Sequence, residues 1–535
     1  MQQLYHANVR TMSSELPLCS GILVRDGIIR QTGDFAVMRA LYPDAKVQDY
    51  GNATLLPGFI DGHSHLSAVA YGLLLWNAKP SPSGNCDSLQ AIIHSGQEYL
   101  QTHSLAPGQW LLGLGYDNAM LPGEKHPTRW DLDQITTERP IALTHVSGHL
   151  CVVNTRAMEL LGYSQPDCVV PEGGIVEPSG LLKETAFTAP EKARLMQGPT
   201  PDQVLQGVAE AARLYASYGF TTIQDGRTTP ADHELLTAAG KAGLIGGDVA
   251  CYLAPDAAER WLPKQWPALN PYQDHCRMAG AKLYLDGSPQ GKTAWLSEPY
   301  HVPPNGEAPG YRGFGVQSDQ EVTDFFSKCL RNHWQANVHA NGDAAIEQLI
   351  CCYEQAMART GSTEALRPVI IHAQTVRRDQ LARMARLGML ASFFHDHVYY
   401  WGDYHTESVL GPQRAQNISP LGWAKDAGIS YTLHQDSPVV PPNALLSMQT
   451  AVLRRTCGGK LLGGEHRASV EDALCAFTTN AAYQIFEEAQ KGSIAPGKLA
   501  DFTVLSSDPF TVPPERIGEI TVLTTIKQGE SIYNA

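Results

Sequence analysis

Short apolar runs that end in polar residues recur eight times along the middle of the chain, with helix-patterned stretches between them. This alternation limits the fold more than any other feature. The runs centre on Phe59-Ile60, Thr222-Ile223, Val249-Ala250-Cys251, Lys282-Leu283-Tyr284, Asn337-Val338, Ile370-Ile371, Ala391-Ser392-Phe393 and Ser430-Tyr431-Thr432. Residues 201–218 and 343–359 carry helical patterning, followed by strand-like Thr221-Thr222-Ile223 and Val369-Ile370-Ile371. A helix between two strands returns the chain to the end where it started, so the strands pair in parallel. Eight units are the number of a (β/α)8 TIM-like barrel, whose active sites form where the C-terminal strand ends converge.

The two ends of the chain read differently. Gly21-Ile22-Leu23-Val24 and Ile28-Ile29 flank Asp26-Gly27, a strong hairpin signal. Near the C-terminus residues 498–505 are strand-like, and Gly529-Glu530 separates Thr525-Ile526-Lys527 from Ile532-Tyr533. These stretches predict a small β-sandwich domain built from both termini, residues 1–56 with 487–535. The barrel then takes residues 57–75 and 201–486. Trp110-Leu111-Leu112-Gly113-Leu114 and Ile141-Ala142-Leu143 fall between the first and second barrel strands, which places an inserted α/β subdomain at 76–200, over the barrel mouth.

Composition excludes several classes. The net charge of −14 over 535 residues is spread without basic runs, which argues against nucleic acid and an anionic membrane surface as partners. A basic start leading into an apolar core is absent at the N-terminus, and no stretch approaches the roughly 18–20 apolar residues of a spanning helix. The 11 cysteines include no CxxC pair, so a reduced, cytoplasmic setting is expected, with most thiols serving as small buried hydrophobes. Nor is there a Gly-x-Ser-x-Gly elbow or a Walker loop.

His63 and His65 follow the first strand at i and i+2, a spacing that lets both imidazoles face the barrel axis. Alone, such a pair is common by chance. Lys282, His339, His372 and Asp436 occupy four later strand ends, and strand ends of a barrel meet at one face. Imidazole with carboxylate suits Zn²⁺, with Mn²⁺, Fe²⁺ and Co²⁺ as alternatives. The competing readings are an ion pair of Lys282 with Asp286 and a turn aspartate at 436. Asp343 fits either an imidazole-orienting carboxylate or the N-cap of the helix that follows.

In Pro57 to Leu66, Lys282 to Gly287, His339 to Ala344, His372-Ala373-Gln374, His434 to Pro438 and Gly492 to Asp501, the chain resembles the amidohydrolase superfamily. The resemblance is to the branch of YtcJ-like proteins and N-substituted formamide deformylases. It implies that His63 and His65 hold one metal ion, that His339 and His372 help hold a second, and that Lys282 bridges them as a carbamate. A free ammonium has no lone pair, so Lys282 ligates only once deprotonated or carboxylated. The resemblance also implies that Asp436 orients or deprotonates the attacking water and passes the proton to the leaving nitrogen. The expected reaction is hydrolysis of a non-peptide C–N bond, such as that of an N-formyl or N-acyl amine, by metal-activated water. Cyclic amides, lactones, esters and deamination stand as alternatives, and a non-catalytic assembly protein as a remoter one. His145, His149, His395, His397 and Trp401 are candidates for contact with a small-molecule substrate, with a ligand-supporting or capping role as the alternative for His145 and His149 and packing as the competing reading for Trp401; a homodimer is implied by the resemblance.

Overall fold

The computed structural model describes residues 2–81, 83–118, 121–146, 150–165, 167–262, 271–304, 307–364 and 366–535. Two compact units emerge: Met1–Ser67 with Val208–Ala535, and Ala68–Gly207.

The larger unit contains an eight-stranded, wholly parallel sheet in sequence order. Its strands are β1 (Phe59–Ile60), β2 (Phe220–Thr228), β3 (Asp248–Leu253), β4 (Cys276–Tyr284), β5 (Ala336–Ala340), β6 (Val369–His372), β7 (Leu390–Phe393) and β8 (Tyr431–Leu433). The expected runs lie in or at the edge of these strands. The sheet curls until its first and last strands approach. A Cβ on Gly62, just past β1, would stand 2.7 Å from the Leu433 carbonyl of β8, and the His65 N–H donates to the Ser437 carbonyl at 2.9 Å. That curled arrangement is consistent with a TIM-like barrel. Pairing sets the levels of the strand ends: Tyr284 opposes His339, Ala340 opposes His372, and His372 opposes Phe393. Side chains from β4 to β8 therefore end in adjoining layers at one face.

Both termini contribute to a seven-stranded sheet. Its order runs Glu530–Asn534, Val522–Lys527, Phe502–Leu505, Lys46–Pro57, Gln2–Arg10, Leu18–Arg25, Ile28–Gly33. A sandwich implies two facing sheets, whereas these strands form one hydrogen-bonded sheet, packed in the same unit as the barrel. The Asp26-Gly27 hairpin forms as expected, with Arg25 paired to Ile28. The C-terminal turn falls one residue earlier than the sequence indicated, at Gln528-Gly529, because Lys527 pairs with Glu530. Residues 498–501 lie outside the strand: the Lys498 ammonium bonds the Glu488 and Lys491 carbonyls, and the Asp501 carboxylate takes the Lys527 ammonium.

Beneath the barrel, at the N-terminal end of β3, Asp248 accepts from the ammonium groups of Lys491 at 2.6 Å and Lys527 at 2.5 Å. Lys491 also meets Glu487 at 2.5 Å, and Glu487 meets Arg277 at 2.8 Å. Lys527 closes the chain of charges on Asp501 at 2.8 Å. Burial opposes ionisation of Asp248, yet the two lysines hold its carboxyl far below the usual carboxylate range. The network joins the terminal sheet to the barrel floor.

The smaller unit carries a six-stranded sheet in the order Ile175–Val176, Leu181–Lys183, Leu150–Val153, Ile141–His145, Leu111–Tyr116, Trp76–Asn77. Trp76, Leu111, Ile141, Leu143 and Val152 form one of its cores, and Cys151, Val153, Met158 and Leu182 contribute to another. All 11 cysteines are free thiols. Among the described residues no helix is long and apolar enough to cross a membrane.

Removing one partner of a buried ion network strands the others, at a cost of about 3–5 kcal/mol. Asp248→Ala is therefore expected to lower the denaturant midpoint at pH 7, measured by fluorescence-monitored unfolding. Because the folded-state pKa of Asp248 is depressed, its contribution is present above the unfolded value of about 4 and fades as pH falls below it. The gap between wild type and variant should narrow from pH 6 to pH 3.

Candidate metal centre and active site

The chain leaving β1 turns sharply across the end of β2. Asp61 holds the turn, its carboxylate accepting from the His63 N–H at 3.2 Å, the Gln224 N–H at 3.3 Å and the Ser64 hydroxyl. Burial raises the Asp61 carboxyl to about 6. From β2, the Gly226 N–H donates to the Ser64 carbonyl at 2.7 Å, and Asp225 accepts from the N–H and hydroxyl of Ser67, both at 2.8 Å. A Cβ on Gly226 would lie 2.1 Å from His63 Cε1, so the imidazole rests directly on glycine backbone.

His63 and His65 then face the axis together. His65 Nε2 lies 3.2 Å and His63 Nε2 3.6 Å from Asp436 Oδ1, while His63 Nε2 lies 2.8 Å from Lys282 Nζ. On the opposite wall His372 Nε2 stands 2.9 Å from His339 Nδ1, and His372 Nδ1 stands 3.1 Å from His434 Nε2. His434 Nδ1 is 2.8 Å from Ser392 Oγ. His372 and Asp436 both have positive φ, 78° and 53°, so these strand ends are held in a conformation costing of order 1–3 kcal/mol each.

Burial keeps His63, His339, His372 and His434 neutral, driving His63 and His372 well below the ordinary value, His339 to about 4 and His434 to about 3; Lys282 adds to the effect at each ring, while Asp436 opposes it at His339 and His434. Burial also brings the Lys282 ammonium down to about 7, even though Asp436 stabilises its charge. Asp436 is opposite: burial disfavours its anion, but His65, His434 and Lys282 hold the carboxyl well below the carboxylate range.

This donor set fits a divalent ion. One ligand atom each from His63, His372 and Asp436 lies within 4.8 Å of the others. Two nitrogens sharing one Zn²⁺ at 2.0–2.1 Å in a tetrahedron stand roughly 3.3 Å apart, close to the 2.9 Å between His372 and His339. Facing lone pairs this near must share a proton or share a cation. Each ring of the His339–His372–His434 chain donates once and accepts once whichever way the chain is polarised, as neutral imidazoles require.

The structure thus brings together His63, His65, Lys282, His339, His372 and Asp436. It adds His434, whose i, i+2 spacing to Asp436 repeats that of His63 to His65 and puts both on one face. Asp286 backs His339: its carboxylate oxygen lies 3.5 Å from His339 Nε2 and accepts N–H groups of Trp295, Asn341 and Gly342 at 2.8–3.0 Å. Burial lifts that carboxyl to about 7. Lys282 turns to His63 rather than pairing with Asp286. Asp343 does not orient a site imidazole, and Gly342 is the N-cap. Asp343 stands in the first helical turn and accepts from the Ser297 N–H at 2.9 Å and Arg377 at 3.1 Å.

His395, His397 and Trp401 stand outside this cluster. His397 and Trp401, on helix His397–Tyr404, pack on Phe394 with centroids 4.6 and 6.1 Å from it, and Phe394 lies 5.5 Å from His434. His397 Nδ1 is 3.0 Å from His405 Nε2. His395 is fully buried, and Arg454 adds to burial in keeping its ring neutral. His145 belongs to the smaller unit, where it packs on Tyr116 and His126 with Asp117 at 3.8 Å. His149 lies outside the described residues.

The curled parallel sheet gathers imidazoles, a lysine and an aspartate at its C-terminal strand ends, a donor set that could hold a divalent ion. Residues 46–533 match the amidohydrolase family model, and the chain belongs to that family. It is 27% identical to the putative amidohydrolase YtcJ of Bacillus subtilis (strain 168), covering 100% of this chain and 99% of that one. It is 26% identical to the N-substituted formamide deformylase of Arthrobacter pascens, covering 99% and 98%. In fold it is similar to an uncharacterized metal-dependent hydrolase from Pyrococcus horikoshii OT3, with a TM-score of 0.77 at 22% identity, over 96% of this chain and 99% of that one.

Gly226→Ala should push the His63 ring off its seat while leaving the barrel folded. Groups that orient ligands typically change metal affinity about 10–100-fold. A loss of that size in a chelator competition, with an unchanged circular dichroism spectrum, is expected.

Proposed function

We propose that the protein hydrolyses the C–N bond of a small non-peptide amide, with N-formyl and N-acyl amines as the substrate class. The observation that carries this reading is the convergence of neutral imidazoles and an ionised Asp436 at one end of the barrel. The deformylase relative, matched over nearly its whole length, supports the choice of bond.

His63, His65, His372 and Asp436 would hold a divalent ion, with Zn²⁺ favoured by the imidazole-rich set. His339 joins them once its contact with His372 opens. Such an ion supplies an acidified water and a Lewis acid for the carbonyl. Asp436 receives a proton from the attacking water and delivers it to the leaving nitrogen, so that oxygen bonds to the carbonyl carbon as the C–N bond breaks. An amine and a carboxylate leave. Ser392 and His434 keep His372 aimed at the axis, and Asp286 with Asn341 does the same for His339.

The His63, His372 and Asp436 trio is compact enough for one ion. A second ion would need a further ligand, and Lys282 would supply one as a carbamate, formed when its amine adds CO₂ at the nitrogen and releases a proton; burial makes that free amine available near neutral pH.

Metal analysis of purified protein, with a screen of N-formyl amines, N-acyl amines, esters and cyclic amides, tests the reading. Absence of metal together with absence of turnover on all of them would overturn it. Asp436→Asn is expected to keep metal while kcat falls roughly 10²–10⁴-fold; full activity would remove Asp436 from proton transfer. Bound metal should rise from one equivalent toward two when wild type is loaded with bicarbonate, and stay at one in Lys282→Met.

A further inference from the structure

The end of β2 leaves its ladder at a single residue. Its pairing with β3 holds from Thr222 opposite Asp248 to Gly226 opposite Tyr252 and resumes with Thr228 opposite Leu253, so Arg227 is the extra residue of a β-bulge. Its φ of 90° is one an arginine adopts only under constraint. Both neighbours supply the constraint: Gly226 is tied to Ser64 and packed on His63, and the Thr228 hydroxyl is bound to the Asp225 carboxylate at 2.7 Å. Bulges beside active sites serve to re-aim a side chain.

The redirected side chain lies over Tyr284, with the guanidinium carbon 5.4 Å from the ring centroid. Tyr284 is two residues beyond Lys282 on β4, hence on the same face and about 7 Å further along the strand. It is 41% exposed and level with His339. Arg227 is exposed, and its charge is near enough to help lower the Lys282 ammonium. Among the described residues it makes no hydrogen bond or ion pair. Among the described residues, a chain of net charge −14 thus presents a guanidinium beside the candidate site with no carboxylate bonded to it.

An unpaired guanidinium, fixed by a bulge and laid on an aromatic ring, matches a planar anion that can accept two parallel N–H bonds. We propose that Arg227 is a specificity-determining residue that binds a substrate carboxylate, so that the amide hydrolysed carries a carboxylate a few bonds from its scissile C–N bond, as an N-acyl amino acid does. This deepens the amide-hydrolase reading and rests on it for the identity of the bond. Recognition of the anion is measured separately from its cleavage.

The test is calorimetric binding to metal-loaded protein of N-formyl and N-acetyl derivatives of glycine, leucine and phenylalanine, each paired with its neutral carboxamide. Wild type should bind at least one acid tenfold or more tightly than its carboxamide. In Arg227→Met the ratio should collapse to near one, and Arg227→Lys should restore part of it. Arg227→Gly, whose backbone suits the bulge, should lose the preference without unfolding at a lower temperature. If no acid is preferred in wild type, or the preference survives Arg227→Met, the proposal is overturned. Lower unfolding temperatures in the Met and Gly variants with the preference retained would assign Arg227 to packing on Tyr284 and also overturn it. Selective acid binding with no C–N turnover would uphold the anion site and defeat the amide-hydrolase reading instead.

Discussion

The joint between the exit of β1 and the end of β2 governs the arrangement at the barrel mouth. Two strand ends are stitched there by the Gly226 N–H on the Ser64 carbonyl, by Asp225 on Ser67, and by an isolated bridge between His65 and Asp225. Asp61 ties the same turn to Gln224 from within. The stitching fixes both imidazoles of the His-Ser-His segment relative to a wall more than a hundred residues away in sequence. It also throws Arg227 out of its ladder. The placement of His63 and His65 and the exposed cation are two results of one hydrogen-bonded junction.

Burial then decides what the assembled groups can do. Four imidazoles crowded into a dry site cannot all carry protons, so their lone pairs are kept for one another or for a cation. The same dryness makes Lys282 a good source of free amine, while the hydrogen bond from His65 keeps the Asp436 carboxylate ionised. One environment gives opposite outcomes for lysine and aspartate because the neighbours of Asp436 outweigh its desolvation. The floor of the barrel follows the same logic for a different purpose, pairing Asp248 with two lysines to join one sheet to the other.

Much of this was legible in the sequence, for a reason that can be stated. Barrel strands are short, apolar and closed by polar residues, so all eight were locatable from the order of residues along the chain, and a barrel sends their ends to one face. His63, His65, Lys282, His339, His372 and Asp436 could be singled out on that basis. His434 carried the same spacing signal and was passed over as a single residue. Tertiary bonds hid the rest. Asp343 reads as a cap or an imidazole partner, but Ser297 and Arg377 reach it first. The bulge at Arg227 depends on Ser64, far upstream, and leaves no local pattern. The terminal strands were recognisable, whereas their union in one continuous sheet depends on pairings between the two ends of the chain.

That union sets an order of events. The Tyr5 hydroxyl donates to the carbonyl of Gly529, 524 residues later, and strand Lys46–Pro57 takes strand Phe502–Leu505 as its neighbour. A chain made from its N-terminus can form the first hairpin early, but one edge of Lys46–Pro57 waits until Phe502–Leu505 has been synthesised. Throughout that time its N–H and C=O groups are open to any other strand. The sheet is therefore among the last parts to be completed, and the nascent chain carries an adhesive edge until its own C-terminal segment arrives.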